Sequence, residues 1–246
     1  MFNYQIIIEY LGTNFVGWQI QKNGTSIQST IQKALSKALK KRIKINGSGR
    51  TDAGVHAKGQ SANFLCPHEI KDKFKFLNTV NFFLKTKSIS ILKIKKKRIN
   101  FHARHCVKKK IYKYIIVNRS TISPLYENRS WLIKNTLDFQ KMNKGIKFFL
   151  GTHDFSSMRA SSCAARSPNK TITKAVIKKK KDKITILFES KSFLQKQVRS
   201  MVGCLKYVGE KKWRPEKIKS VLKLKKRQMC APPAPPEGLY LEKVIY

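Results

Sequence analysis

The stretch GSGRTDAGVHAKGQ, residues 47–60, gathers the residue types best able to do chemistry. Three closely spaced glycines (Gly47, Gly49, Gly54) permit tight turns and let a ligand approach the backbone closely. Among them stand a cation, Arg50, a carboxylate, Asp52, and then an imidazole, His56. The spacing is not that of a phosphate-binding loop, which needs G-K-[ST], nor the G-x-G-x-x-G of a dinucleotide site. An acid beside a base in such a loop is a catalytic group about as often as a turn-stabilising aspartate. Spacing leaves both readings open.

Two other pairs carry metal-ligating types, His153–Asp154 and His102/His105. Neither has a third partner at a useful spacing. With only 13 Asp and Glu in 246 residues, a hydrolytic metal centre built from Asp52, His56 and Asp154 is hard to assemble. Segment 151–155 reads instead as the turn after a helix ending near Leu150.

Charge points elsewhere. Against those 13 acids stand 53 Lys and Arg, for a formal charge of +40. Such a chain is drawn to dense polyanions, nucleic acid first, because neutralising phosphates releases condensed counterions. Much of the excess is Lys accompanied by Ile, Asn and Phe, which drift of the coding sequence toward A and T also produces. Charge does not separate RNA from DNA. The basic segments Lys93–Arg98 and Arg104–Lys110, with Arg159 and Arg166, are solvated faces when judged singly and a polyanion-holding field when taken together.

The five cysteines are scattered, odd in number and without C-x-x-C spacing, which argues against a disulfide framework and a zinc site. Reduced thiols in a cytoplasmic protein are the expectation. The N-terminus lacks the basic leader and apolar stretch of a signal peptide, and no run approaches the ~20 apolar residues of a membrane span.

The periodicities that must position these groups fall into two similar series. Residues 4–10 read as a strand, 27–40 as a helix capped by Ser26, 42–46 and 57–65 as strands, 69–84 as a helix, and 88–95 as a strand. The second series has a strand at 111–117, a helix at 138–150, strands at 171–179 and 183–190, helices at 193–208 and 215–224, and a strand near 239–245. Two β-α-β-β-α-β units predict an α+β fold of two ferredoxin-like halves. Each half is expected to place its helices on one face of an antiparallel sheet, with the active site in a cleft between the halves. The basic segment 95–110 is the expected boundary, dividing the chain into 1–104 and 105–246. The proline-rich stretch 232–236 reads as a stiff turn before the last strand.

GRTDAGVH at 49–56 resembles the signature of the TruA family of tRNA pseudouridine synthases, and the likeness extends along the chain. EYLGTNFVGWQIQ at 9–21, FHAR at 101–104, YKYII at 112–116, GTHDFSSMR at 151–159, FLQKQVRSMVG at 193–203 and PPEGLYL at 235–241 follow in the family's order. Carried over by position, the resemblance makes Asp52 the nucleophile, Tyr112 the active-site tyrosine and Arg199 the arginine that pairs with the aspartate. Arg50 is then expected to handle the RNA backbone or the flipped base, and His56 to lie among the substrate-binding residues. Taken alone, Tyr112 is an ordinary strand tyrosine and Arg199 a snorkelling surface arginine. The resemblance further implies uridine-to-pseudouridine isomerisation at positions 38 to 40 of the tRNA anticodon arm, with base flipping, no cofactor and a homodimer. Departures from the family pattern are Leu11, Gln197 and LKTKS at 84–88. They leave site-specific substrate range open. A non-catalytic RNA-binding protein is the competing reading from charge.

Overall fold

The computed structural model describes all 246 residues, Met1–Tyr246, as a mixed α/β fold with mostly antiparallel sheet. It separates into two compact units, residues 1–108 with 241–246 and residues 109–240.

The first unit begins with β1 (Phe2–Tyr10), whose alternation buries Tyr4, Ile6, Ile8 and Tyr10. Helix α1 (Ile27–Leu39) turns Ile27, Ile31, Ala34 and Leu35 inward, and the Ser26 hydroxyl accepts the Ser29 amide at 3.1 Å as its cap. The expected strand at 42–46 is shorter and shifted, β2 at Ile45–Gly47. The long strand β3 (His56–Cys66) is followed by α2 (Lys73–Leu84) and β4 (Ile89–Lys97). Helix α2 starts four residues later than its periodicity suggests, because the Asp72 carboxylate caps it by accepting the Lys75 amide at 2.8 Å.

Strands run in the order β4-β1-β3-β2, every pairing antiparallel. β4 lies at one edge of this order, and Lys93, Lys95 and Lys96 are exposed along it. Charge on a strand edge hinders pairing with other chains, so this basic run has a structural use besides any RNA contact.

The second unit holds β5 (Lys109–Asn118), β6 (Trp131–Ile133), α3 (Phe139–Ile146), β7 (Gly151–Asp154), β8 (Asn169–Lys180), β9 (Lys183–Ser190), α4 (Gln197–Gly209) and α5 (Lys217–Leu224). Its strands follow β5-β9-β8-β7, antiparallel throughout, and β6 joins β5 in parallel at Ile116–Asn118. The last strand, β10 (Leu239–Ile245), begins in this unit and ends in the first.

Three expectations need correction here. Residues 151–154 are not a turn but strand β7, paired with 169–172 of β8; Thr152 and Thr171 sit opposite each other with hydroxyls 2.7 Å apart. The helix read as 138–150 stops at Ile146 and tightens into a 3-10 turn over Lys147–Phe149. The helix read as 193–208 starts only at Gln197, because Lys196 takes a left-handed backbone conformation (φ +64°) that breaks helical continuity before it. Phe193 therefore belongs to the approach to α4, not to its face.

Candidate active site

Loop 48–55 is fixed from below by polar groups that the fold has taken out of water. The Ser48 amide donates to the Ser61 carbonyl at 2.7 Å, and its hydroxyl donates to Gln60 Oε1, also at 2.7 Å. Gln60 Nε2 in turn donates to the Gly49 carbonyl at 3.0 Å. Thr51 Oγ1 lies 2.9 Å from the Tyr10 hydroxyl, and the Thr51 carbonyl accepts the Trp18 amide at 3.0 Å. Burial pushes the Tyr10 phenol well above its ordinary range, although Thr51 and Gln60 work against the rise, so it remains a protonated partner. The Val55 amide closes the turn on the Asp52 carbonyl at 3.2 Å.

Ser48, Thr51, His56 and Gln60 are buried, Asp52 is half-buried, and Arg50 and Ala53 are exposed. The backbone on either side of the carboxylate is thus held, and Asp52 as a whole is neither fully buried nor fully exposed. Such an arrangement is what a preorganised nucleophile needs.

Gly17 shows how closely the N-terminal loop is fitted to this turn. Its φ of +106° is one L-residues rarely adopt, and a side-chain carbon there would stand 2.8 Å from the Thr51 carbonyl oxygen. His56 is fully buried at the start of β3, with Nδ1 accepting the Gly12 amide at 2.9 Å. Its place is under the loop, joining residues 54–56 to the chain after β1.

Gln60 was not apparent from the sequence as a site residue. Its signal was the buried face of β3 continuing out of the glycine-rich loop. Gln60→Leu would leave the buried Ser48 hydroxyl and the half-buried Gly49 carbonyl without this partner, at a cost of about 2–4 kcal/mol for the two groups. The expected outcome is a lowered urea midpoint together with reduced turnover. An unchanged midpoint would show that the loop does not depend on this bond.

In the second unit, Tyr112 lies on β5 opposite Phe188 of β9 and is 8% exposed. The Phe193 ring meets it edge-on, with centroids 5.2 Å apart and planes at 86°, which fixes the attitude of the Tyr112 ring. Arg199 is the third residue of α4 and half-buried, between buried Val198 and Ser200. Its Nε donates to the Ala234 carbonyl at 2.7 Å, and the Ala234 amide donates back to the Arg199 carbonyl at 2.9 Å. A side chain bound in this way at Nε is not a loose surface arginine.

The metal-type pairs have other partners. The Asp154 carboxylate accepts the Ser156 amide at 2.8 Å and faces Lys225 at 3.4 Å, while His153 Nε2 lies 2.7 Å from the Leu150 carbonyl. The His102 and His105 rings lie 4.3 Å apart at the end of the first unit. No group of three or more His, Cys, Asp or Glu side chains is arranged to hold a metal ion, and no helix is long and apolar enough to cross a membrane.

Comparison with known proteins places the chain in a class of tRNA-modifying isomerases. The sequence profile described as tRNA pseudouridine synthase matches residues 6–105 and 146–246, and the chain belongs to that family. It is similar over its whole length to proteins named tRNA pseudouridine synthase A. The one from Pelagibacter ubique (strain HTCC1062) is 58% identical over 246 residues, covering 100% of both chains. Those from Ehrlichia canis (strain Jake) and Parvibaculum lavamentivorans (strain DS-1) are 42% and 38% identical, each covering at least 98% of both chains.

Proposed function

We propose that this protein converts uridine to pseudouridine at positions 38 to 40 of the tRNA anticodon arm, with Asp52 as nucleophile and Tyr112 and Arg199 serving the same reaction. The observation that carries the reading is a full-length family match whose signature aspartate stands, half-buried, on a braced loop. The strand order β4-β1-β3-β2 of the first unit supports a ferredoxin-like half.

The chemistry is an isomerisation. The N1–C1′ bond of uridine breaks, a C5–C1′ bond forms, the C5 proton leaves and N1 ends protonated, with no change of oxidation state. The Asp52 carboxylate attacks either C6 of the ring or C1′ of the ribose. The nucleophile must remain an anion, and a guanidinium favours that form; Arg199 is the proposed source. Tyr112 offers a flat ring to the detached uracil and a phenol for the C5 proton. Arg50, exposed beside the nucleophile, is suited to a phosphate. His56, fully buried, serves substrate binding through the loop it supports.

Incubating the protein with unmodified tRNA tritiated at uracil C5 should release tritium without any added cofactor. The absence of release from every tRNA carrying uridine at 38 to 40 would overturn the proposal. The resemblance extends it to a cytoplasmic homodimer, for which equilibrium sedimentation at the 28.4 kDa monomer mass would be the contrary result.

A further inference from the structure

We infer that Tyr114 is a positioning residue for Arg199, acting through the proline-rich strap 231–238 that receives both side chains. The inference rests on the reading of Arg199 as a catalytic group. Its argument begins with the arginine. A guanidinium is planar, so a hydrogen bond at Nε fixes the plane and determines where the Nη edge points. The Ala234 carbonyl supplies that bond at 2.7 Å. The direction of the Arg199 cation therefore depends on the position of Ala234.

The strap cannot hold itself in place as a strand would. Pro232, Pro233, Pro235 and Pro236 have no amide hydrogen, so half of its eight residues cannot donate to a ladder. What the prolines supply is stiffness, with little conformational freedom to lose on ordering. A stiff strap needs few anchors: the Ala234 amide on the Arg199 carbonyl is one, and side chains provide others.

Tyr114 Oη donates to the Pro235 carbonyl at 2.8 Å, one residue beyond the Arg199 acceptor. The Tyr114 ring also covers Gly238, where a side-chain carbon would come within 2.5 Å of the ring's Cζ, so the ring and hydroxyl grip one end of the strap. At the other end Arg227 Nη2 donates to the Ala231 carbonyl at 3.4 Å.

Tyr114 itself is enclosed by the fold. It is 0% exposed, paired opposite Ile186 on β9, with its ring edge-on to Trp131 at 6.3 Å. Burial pushes its phenol well above the usual range, the Glu237 carboxylate adds to the rise and Arg199 opposes it, so the hydroxyl stays a donor. Tyr112 and Tyr114 stand two apart on β5 and share a face of the strand. One strand thus presents the proposed active-site tyrosine and, beside it, the tyrosine that holds the strap of the proposed active-site arginine.

Tyr114→Phe tests this directly, since it removes the hydroxyl and keeps the ring over Gly238. Expected is a fall in kcat of roughly tenfold, corresponding to about 1.4 kcal/mol of lost transition-state stabilisation, with KM for tRNA within about twofold of wild type. A second readout does not use turnover. The Arg199 Nε–H resonance, assigned by its disappearance in Arg199→Lys, should be protected from solvent exchange in the wild type and lose that protection in Tyr114→Phe. If Tyr114→Phe does not fold, Pro235→Gly loosens the same strap at a partly exposed position and is read in both ways. A protected Nε–H or an unchanged kcat in the folded variants would overturn the inference. Wild-type turnover by Arg199→Lys would instead remove the catalytic reading of Arg199, and the inference with it.

Discussion

Asp52→Asn should reduce tritium release from uracil C5 by at least about ten-thousandfold while leaving tRNA affinity within about twofold. The size of the first effect follows from the chemistry. An amide has almost the shape of a carboxylate but no charge with which to form a bond to C6 or C1′, so no weaker version of the same step remains. The second follows from where affinity arises. Binding to nucleic acid scales with the number of phosphates neutralised, and the substitution alters one charge in a chain whose formal net charge is +40. The loop should survive, because its backbone is pinned through the Asp52 carbonyl, Thr51, Ser48 and Gln60. Single-turnover release and filter binding at one fixed salt concentration give the two numbers. Retained release would exclude Asp52 as nucleophile. A non-catalytic RNA-binding protein would show no release from either form and equal binding by both.

Much of the fold is legible in the sequence, for physical reasons that differ from element to element. Helix α1 was clear because a serine cap precedes an apolar stripe of period close to four, two local signals in agreement. Strand β1 is legible from its Ile and Tyr content, and β9 and β10 from apolar residues recurring in short stretches. The start of α4 was obscured because Phe193 and Leu194 continue its apolar pattern, whereas the left-handed Lys196 that ends the approach leaves no mark in a lysine-rich chain. Strand β7 was missed since four residues, two of them Gly and Thr followed by His and Asp, carry no periodicity; its pairing with β8 is a tertiary choice.

The site divides in the same way. Asp52 and Arg50 stand in a recognisable loop, but Gln60 and Tyr10 brace that loop through hydrogen bonds whose partners lie 11 to 41 positions away. Ala234 is the extreme case. It bonds Arg199 through its main chain, with groups that any residue type but proline would offer, so no side-chain signal marks it.

The second large effect is expected at a glycine, and its sign is opposite to the usual one. Gly203 is interior to α4, where replacing Gly by Ala normally stabilises by about 1 kcal/mol through helix propensity. Here a methyl group would run into the Pro232 carbonyl oxygen and stand 3.2 Å from the carbonyl carbon. Both belong to backbone, which cannot rotate away as a side chain does, so the strap or the helix must move. Overpacking of this kind costs about 1–3 kcal/mol and occasionally more, which exceeds the propensity gain. A net loss of about 1–2 kcal/mol, the overpacking cost less the propensity gain, is therefore expected in Gly203→Ala, read as a lower urea midpoint at unchanged slope.

Turnover should suffer as well. Pro232 lies two residues before Ala234, so a strap displaced at one point carries the acceptor of the Arg199 Nε–H with it. Gly145→Ala supplies the contrast, being another helix glycine, on α3, where the nearest atom is the terminal methyl of Ile218 at 3.1 Å. A side-chain methyl can yield by a few tenths of an ångström, so propensity should decide and stability should hold or rise. Equal gains in the two variants would mean that the strap yields freely to the helix, and a yielding strap could not set the direction of Arg199.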